Sequence, residues 1–157
     1  MSSMNEYERM LLQKKLWENS ARRCRPVIAS QLAEALDCPP EILLFQDFER
    51  TKVAEQLFSE GVSRTEEIRF PDRLTTVSTL NSFFSGLRCN VALLVDGFNE
   101  CGVLDINLDV IISRLDSLLI VQHEVLRYTS WDGKVGACIV VQEGTAPYFP
   151  RYAHLWK

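Results

Sequence analysis

The residues whose types and spacing could do chemistry gather in one stretch, Asp96-Gly97-Phe98-Asn99-Glu100-Cys101-Gly102, directly after an apolar run. Carboxylates converging within a few ångströms would hold a divalent metal for hydrolysis. A thiol beside a base would be a nucleophile. Exposed acids at a sheet rim would attract a cationic partner. A metal site needs more than Asp96 and Glu100, and Asp105, Asp109 and Asp116 fall on or before a helical stretch, away from strand ends. Cys101 needs a histidine, but His123 stands at a helix end and His154 in an aromatic tail, with no spacing that brings either to it. No His/Cys pair has a zinc-like interval. Gly86, Gly97 and Gly102 make neither GxGxxG nor a phosphate loop. The expectation is a site with no catalytic residue, metal or cofactor. Asp96, Glu100 and Asp105 would form an acidic rim, with Asn99 beside it in the partner-binding set. Tyr128, Trp131 and Arg151 would complete the partner-binding set, because Tyr, Trp and Arg dominate interface energetics.

These residues need elements to position them. Val91-Ala92-Leu93-Leu94-Val95 reads as a strand covered on both faces, for which parallel neighbours are the usual case. Leu108, Ile111, Ile112, Leu115, Leu118 and Leu119 predict one helix over 107–121, capped through Asp105, Asn107 and Asp109. Upstream, residues 4–24 predict a helix, broken before Pro26. A second helix spans 27–36, and a third runs from Pro40 to a close at Gly61. Residues 66–70 predict an edge strand ended by Pro71, and 74–87 a helix. Residues 125–131 and 135–141 predict a hairpin turning at Asp132-Gly133. The fold class expected is α/β (α+β), one domain over 1–157. Its helical part covers 1–61 and its α/β part 62–157, with a small mixed sheet of about four strands: a βαβα run with right-handed crossovers, then the hairpin.

The string Leu93-Leu94-Val95-Asp96-Gly97-Phe98-Asn99 resembles the opening strand of PIN-like (NYN-type) ribonucleases. That resemblance implies a parallel α/β sheet in which Asp96 is the first of several carboxylates holding a divalent metal. In that family the motif opens the domain and the other acids come from later parallel strands. Here 57 residues follow Glu100.

Composition narrows the function classes. The chain has 157 residues, 46% hydrophobic and 24% charged, with net charge −4. No apolar run approaches the ~20 residues that span a bilayer, and the first residues lack the pattern of a secretory signal, so a cytoplasmic protein without a membrane partner is expected. Five scattered cysteines without a CxxC pair predict reduced, packed thiols. Residues 41–73 carry eight acidic and five basic groups, and residues 74–123 five acidic and two basic. That balance argues against nucleic-acid binding. The function expected is a non-catalytic acidic inhibitor of immunity or antitoxin type, neutralising a basic protein such as a toxin nuclease. Two alternatives stand beside it: a metal-dependent ribonuclease using Asp96, and a regulatory or structural subunit acting through its N-terminal helices. The last would show as an exposed apolar stripe on residues 4–24 or 40–60.

Overall fold

The computed structural model describes residues 3–95, 98–121, 125–141 and 150–157. A single helix, α1 (Glu6–Leu36), opens the chain. Asn5 caps it in a box with Glu8: the Glu8 N–H donates to the Asn5 side chain at 2.8 Å, and the Asn5 N–H donates to the Glu8 carboxylate at 3.1 Å. The break expected at Pro26 does not occur. Proline in a helix interior costs about 3 kcal/mol, but Pro26 lies on the exposed side. The residue before it is fixed by tertiary bonds: Arg25 Nε donates to the Cys101 carbonyl at 2.8 Å, and Nη2 to the Gln46 carbonyl at 2.9 Å. Ala29, Leu32 and Leu36, one turn and more beyond, are buried and hold the second half of the helix on the body.

The third helix of the sequence reading resolves into several pieces. A 3-10 turn spans Pro40–Ile42, strand β1 covers Leu44–Phe45, and α2 runs Phe48–Ser63 under an Asp47 cap. Gly61 does not end α2. It is buried where the helix crosses Trp156, and a side chain there would collide with the indole.

The remaining elements are β2 (Ile68–Arg69), α3 (Arg73–Phe83), β3 (Asn90–Leu93), α4 (Phe98–Cys101) and β4 (Leu104–Asn107). Then follow α5 (Leu108–Ser113), α6 (Leu115–Val121), β5 (Val125–Ser130), β6 (Gly136–Val141) and β7 (Pro150–Trp156). The chain is thus mixed helix and sheet, as expected, but the sheet is larger and differently wound. It has seven strands in the order β1-β4-β3-β5-β6-β7-β2, and every pairing among the described residues is antiparallel. The parallel βαβα run is corrected at its centre, because β3 lies antiparallel to both β4 and β5. A continuous apolar run reports burial on two faces and carries no information on strand direction.

The burial expected of that run holds: Val91, Leu93, Leu94 and Val95 are at most 1% exposed. The hairpin also stands, with Tyr128 opposite Ala137 and Thr129 opposite Gly136, turning through Gly133 at φ +75°. The single helix over 107–121 is instead α5 and α6 with a turn at Arg114, α5 being capped by the Asn107 side chain on the Asp109 N–H at 2.9 Å.

Helices cover both sheet faces. Strand register places Val91, Leu93, Leu104, Leu126, Tyr128, Ile139, Ala153 and Leu155 on one face. Phe84 closes over Tyr128 there, with ring centroids 5.6 Å apart. Small residues Ala92, Thr129 and Gly136 lie on the other face, where α2 packs and Trp156 meets Phe58 at 6.1 Å. Leu32, Ala35 and Leu36 of α1 join the same core cluster as these strands.

Candidate interaction surface

Part of the stretch singled out in the sequence, Asn99–Gly102, comprises the end of α4 and the glycine after it, and is the seat on which α1 rests. Trp17 donates its indole N–H to the Asn99 carbonyl at 2.6 Å and meets Phe48 edge-on at 5.5 Å. Arg25 spans the junction, bonded to the Cys101 and Gln46 carbonyls, its guanidinium 5.7 Å from the Trp17 ring and 5.5 Å from Phe45. Burial pulls the Arg25 pKa down, and the Asp47 charge opposes that shift. Cys24 is joined to Cys101 by a disulfide, with Cα atoms 5.7 Å apart. The expectation of five reduced thiols is therefore corrected for this pair: a sequence separation of 77 hides the fact that α1 runs alongside α4. Cys38, Cys89 and Cys138 are free. Gly102, at φ +92°, lets the chain pass beneath Gln46, Arg25 and Trp17.

Before this seat, the first half of α1 keeps a broad apolar surface in water. Met4, Tyr7, Met10, Leu11, Leu12 and Leu16 are between 42% and 69% exposed. Tyr7, Met10, Leu11 and Lys14 form one wall of a groove of about 340 Å³ whose other wall is Phe48, Glu49 and Lys52 at the start of α2. Lys14 bridges the groove to Glu49 at 2.6 Å. The Glu49 carboxylate raises the Lys14 pKa, and the Lys14 ammonium lowers that of Glu49.

The sequence-predicted site residues are dispersed. Asp96 lies outside the described residues, as does the Arg151 side chain. Asn99 and Glu100 are exposed on α4. Asp105 is partly buried and accepts the Trp131 indole N–H at 2.9 Å, while Arg50 stacks 3.9 Å from the centre of the Trp131 ring. Tyr128 is fully buried and is removed from the contact set. On interior strand β5 its side chain alternates onto the face beneath Phe84, and a tyrosine's preference for interfaces does not reveal which way it points. Among the described residues no group of three His, Cys, Asp or Glu side chains could hold a metal ion. Among the described residues every strand pairing is antiparallel, whereas the PIN-like resemblance implies parallel strand ends.

The exposed stripe that the regulatory-subunit reading requires on residues 4–24 is present, but the groove residues Tyr7, Met10, Leu11 and Phe48 are not singled out by the sequence, because each also reads as an ordinary core position. One signal was present: Leu12 and Leu16 add apolar side chains on the opposite side from Tyr7 and Met10, more than one core stripe requires.

The chain matches no family model, no curated protein and no solved structure.

Proposed function

We propose that this chain is a non-catalytic protein-binding module that engages its partner through the first half of α1 and the adjoining start of α2. The observation that carries this reading is the apolar face of Met4, Tyr7, Met10 and Leu11, left at 42–69% exposure ahead of the Trp17 anchor, with Leu12 and Leu16 exposed on the other side of the helix. Contiguous exposed apolar surface rimmed by charge marks interaction sites. The anchor supports the same reading. Two charge-assisted bonds from Arg25, the Trp17 bond and the Cys24–Cys101 link hold the helix rigidly at its middle, so the free half is presented in a fixed direction.

The acidic-inhibitor reading is kept as a second proposal, favoured by the exposure of Glu100, Glu41, Glu60 and Glu66. Fewer acids are free for it than the sequence suggested. Glu49 and Glu55 pair with lysines, Glu67 pairs with Arg69, and Asp47 and Asp72 cap helices.

A photo-crosslinking residue placed at Met10 or at Glu100 in the native host separates the two. An adduct from position 10, lost on Leu11→Glu, supports the α1 surface. An adduct from position 100 alone supports the acidic inhibitor. No adduct from either overturns both.

A further inference from the structure

Pro26 divides α1 into two halves that are held in different ways. It has no N–H to donate to the Arg22 carbonyl, so the helix is weakest over the turn from Arg22 to Pro26. Behind that turn Ala29, Leu32, Ala33, Ala35 and Leu36 are buried in the body. Ahead of it, Ala21 is the only buried residue of α1 among the described residues. The front half is otherwise tied down by hydrogen bonds from Trp17 and Arg25, the Trp17–Phe48 contact, the Lys14–Glu49 ion pair and the Cys24–Cys101 disulfide. Only the disulfide is covalent, and Cys24 lies within the weak turn itself. The two sulfurs are unequally covered: Cys24 is half-buried, whereas Cys101 is 1% exposed. Arg22, Arg23 and Arg25 flank Cys24 in the chain and keep the local potential positive, which draws in a thiolate and stabilises those released.

We propose that Cys24–Cys101 is a reducible latch, and that the turn before Pro26 is the hinge it locks. With the disulfide intact, the front half cannot leave its seat even when its hydrogen bonds open, because Cys24 stays tied to α4 and the seat re-forms. With the disulfide reduced, the same opening lets the front half of α1 swing about the hinge while the back half remains in the core. A dithiol reductant performs the change. One of its thiolates attacks the Cys24 Sγ, the more exposed sulfur; the Sγ–Sγ bond breaks, and Cys101 leaves as a thiolate that takes up a proton. The second thiolate attacks the reductant's own sulfur in the mixed disulfide, closes the reductant's internal disulfide and releases Cys24, which is protonated in turn. The protein disulfide gains two electrons and two protons, and the dithiol loses them. The consequence for binding rests on the reading of α1 as the docking surface; the latch itself does not. The apolar face of Tyr7, Met10 and Leu11 is presented in a fixed direction when the latch is closed and loses that direction when it opens.

The full chain, equilibrated against mixtures of reduced and oxidised dithiothreitol, is read by mass spectrometry. Alkylation under denaturing conditions should count three free thiols at the oxidised end, those of Cys38, Cys89 and Cys138, and five at the reduced end. Hydrogen exchange at the amides of residues 17–25 should speed up about tenfold or more on reduction, because a cross-link restrains the open state most when it spans a long stretch of chain, here a separation of 77. In the reduced chain that exchange should not respond to urea below the unfolding transition, the mark of a local opening that exposes little surface, whereas the amides of β3 and β5 should respond. Cys24→Ser should exchange as the reduced parent does and be indifferent to dithiothreitol. Pro26→Ala returns a bond to the Arg22 carbonyl and stiffens the hinge, so its rise on reduction should be at most about a third of the parent's. Five free thiols at the oxidised end, or three that the reductant never changes, overturn the proposal. So does exchange that rises only in step with β3 and β5, which makes the disulfide a brace for the whole fold, or a Pro26→Ala chain that responds as the parent does. A latch that opens without an adduct from position 10 in either state stands and removes the docking reading; an adduct with unchanged exchange keeps the docking reading and removes the latch.

Discussion

Gly102→Ala probes the seat of α1. Gly102 sits at φ +92°, where a side chain costs about 1–2 kcal/mol. A Cβ built there lies 2.6 Å from the Gln46 carbonyl oxygen and 3.3 Å from both Arg25 Nη2 and the Trp17 ring. The Gln46 oxygen accepts the Arg25 bond at 2.9 Å, and the Gln46 N–H donates to the Val103 carbonyl at 2.8 Å. It has no free direction of retreat, so the charge-assisted bond is lost, at about 1.5–3 kcal/mol. The two contributions together predict a loss of about 3–5 kcal/mol, or about 6–20 °C in Tm for a domain of this length. Gly86→Ala is the control. Its φ of +78° is also left-handed, but a Cβ there meets nothing within 4 Å, so only the backbone cost of about 1–2 kcal/mol applies. Urea denaturation of the two variants beside the parent decides the matter. If Gly102→Ala costs no more than Gly86→Ala, the tight junction between α1 and the α4–Gly102 segment does not exist as described.

Other expectations follow from burial and hydrogen bonding. Leu118→Ala removes a fully buried side chain from the core cluster and should cost about 2–5 kcal/mol, with an unchanged urea midpoint as the contrary result. The Tyr128 hydroxyl is buried without a hydrogen-bond partner among the described residues, and burial pushes its pKa well up. Tyr128→Phe should therefore leave stability unchanged or raise it, since the desolvated hydroxyl returns no bond; a loss above about 1 kcal/mol would show a partner. The Asp132 carboxylate is held below the usual range by the Ser130 hydroxyl at 2.6 Å, then by the Lys134 N–H at 3.0 Å. Its stabilisation is present above the unfolded carboxylate pKa near ~4 and is lost as pH falls through the lower folded value. Thermal melts should show the parent losing more stability than Asp132→Ala between about pH 4 and pH 2; parallel curves would exclude a role for this turn.

The parts legible in the sequence are those fixed by local rules. Asp132-Gly133 between β-rich runs gave the β5–β6 hairpin, and the unbroken apolar run gave the buried β3. Asn107 gave the α5 cap. Strand direction was not legible, because β3 finds β5 some 35 positions away and the side-chain period is the same in either sense. The α4–β4 segment is only eight residues of structure between Phe98 and Asn107, too short to show a period. Pro26 read as a break because the sequence gives no sign that Arg25 is pinned from outside the helix. The candidate surface was half legible. Met4, Tyr7 and Leu11 defined a helix face correctly, but their exposure depends on how far α1 runs ahead of Trp17. That is a property of where the body ends and not of the helix itself.

The central claim is that the first half of α1 presents an apolar surface which its own fold leaves uncovered. The most direct measurement is the urea midpoint of the triple variant Tyr7→Gln/Met10→Gln/Leu11→Gln, taken at a concentration where any self-association is absent. Exposed side chains away from packing contribute little to folding, so the variant should keep the parent's stability within about 0.5 kcal/mol per site. A fall of several kcal/mol, of the size seen for core truncations, would show that these side chains are packed against the body and would contradict the account.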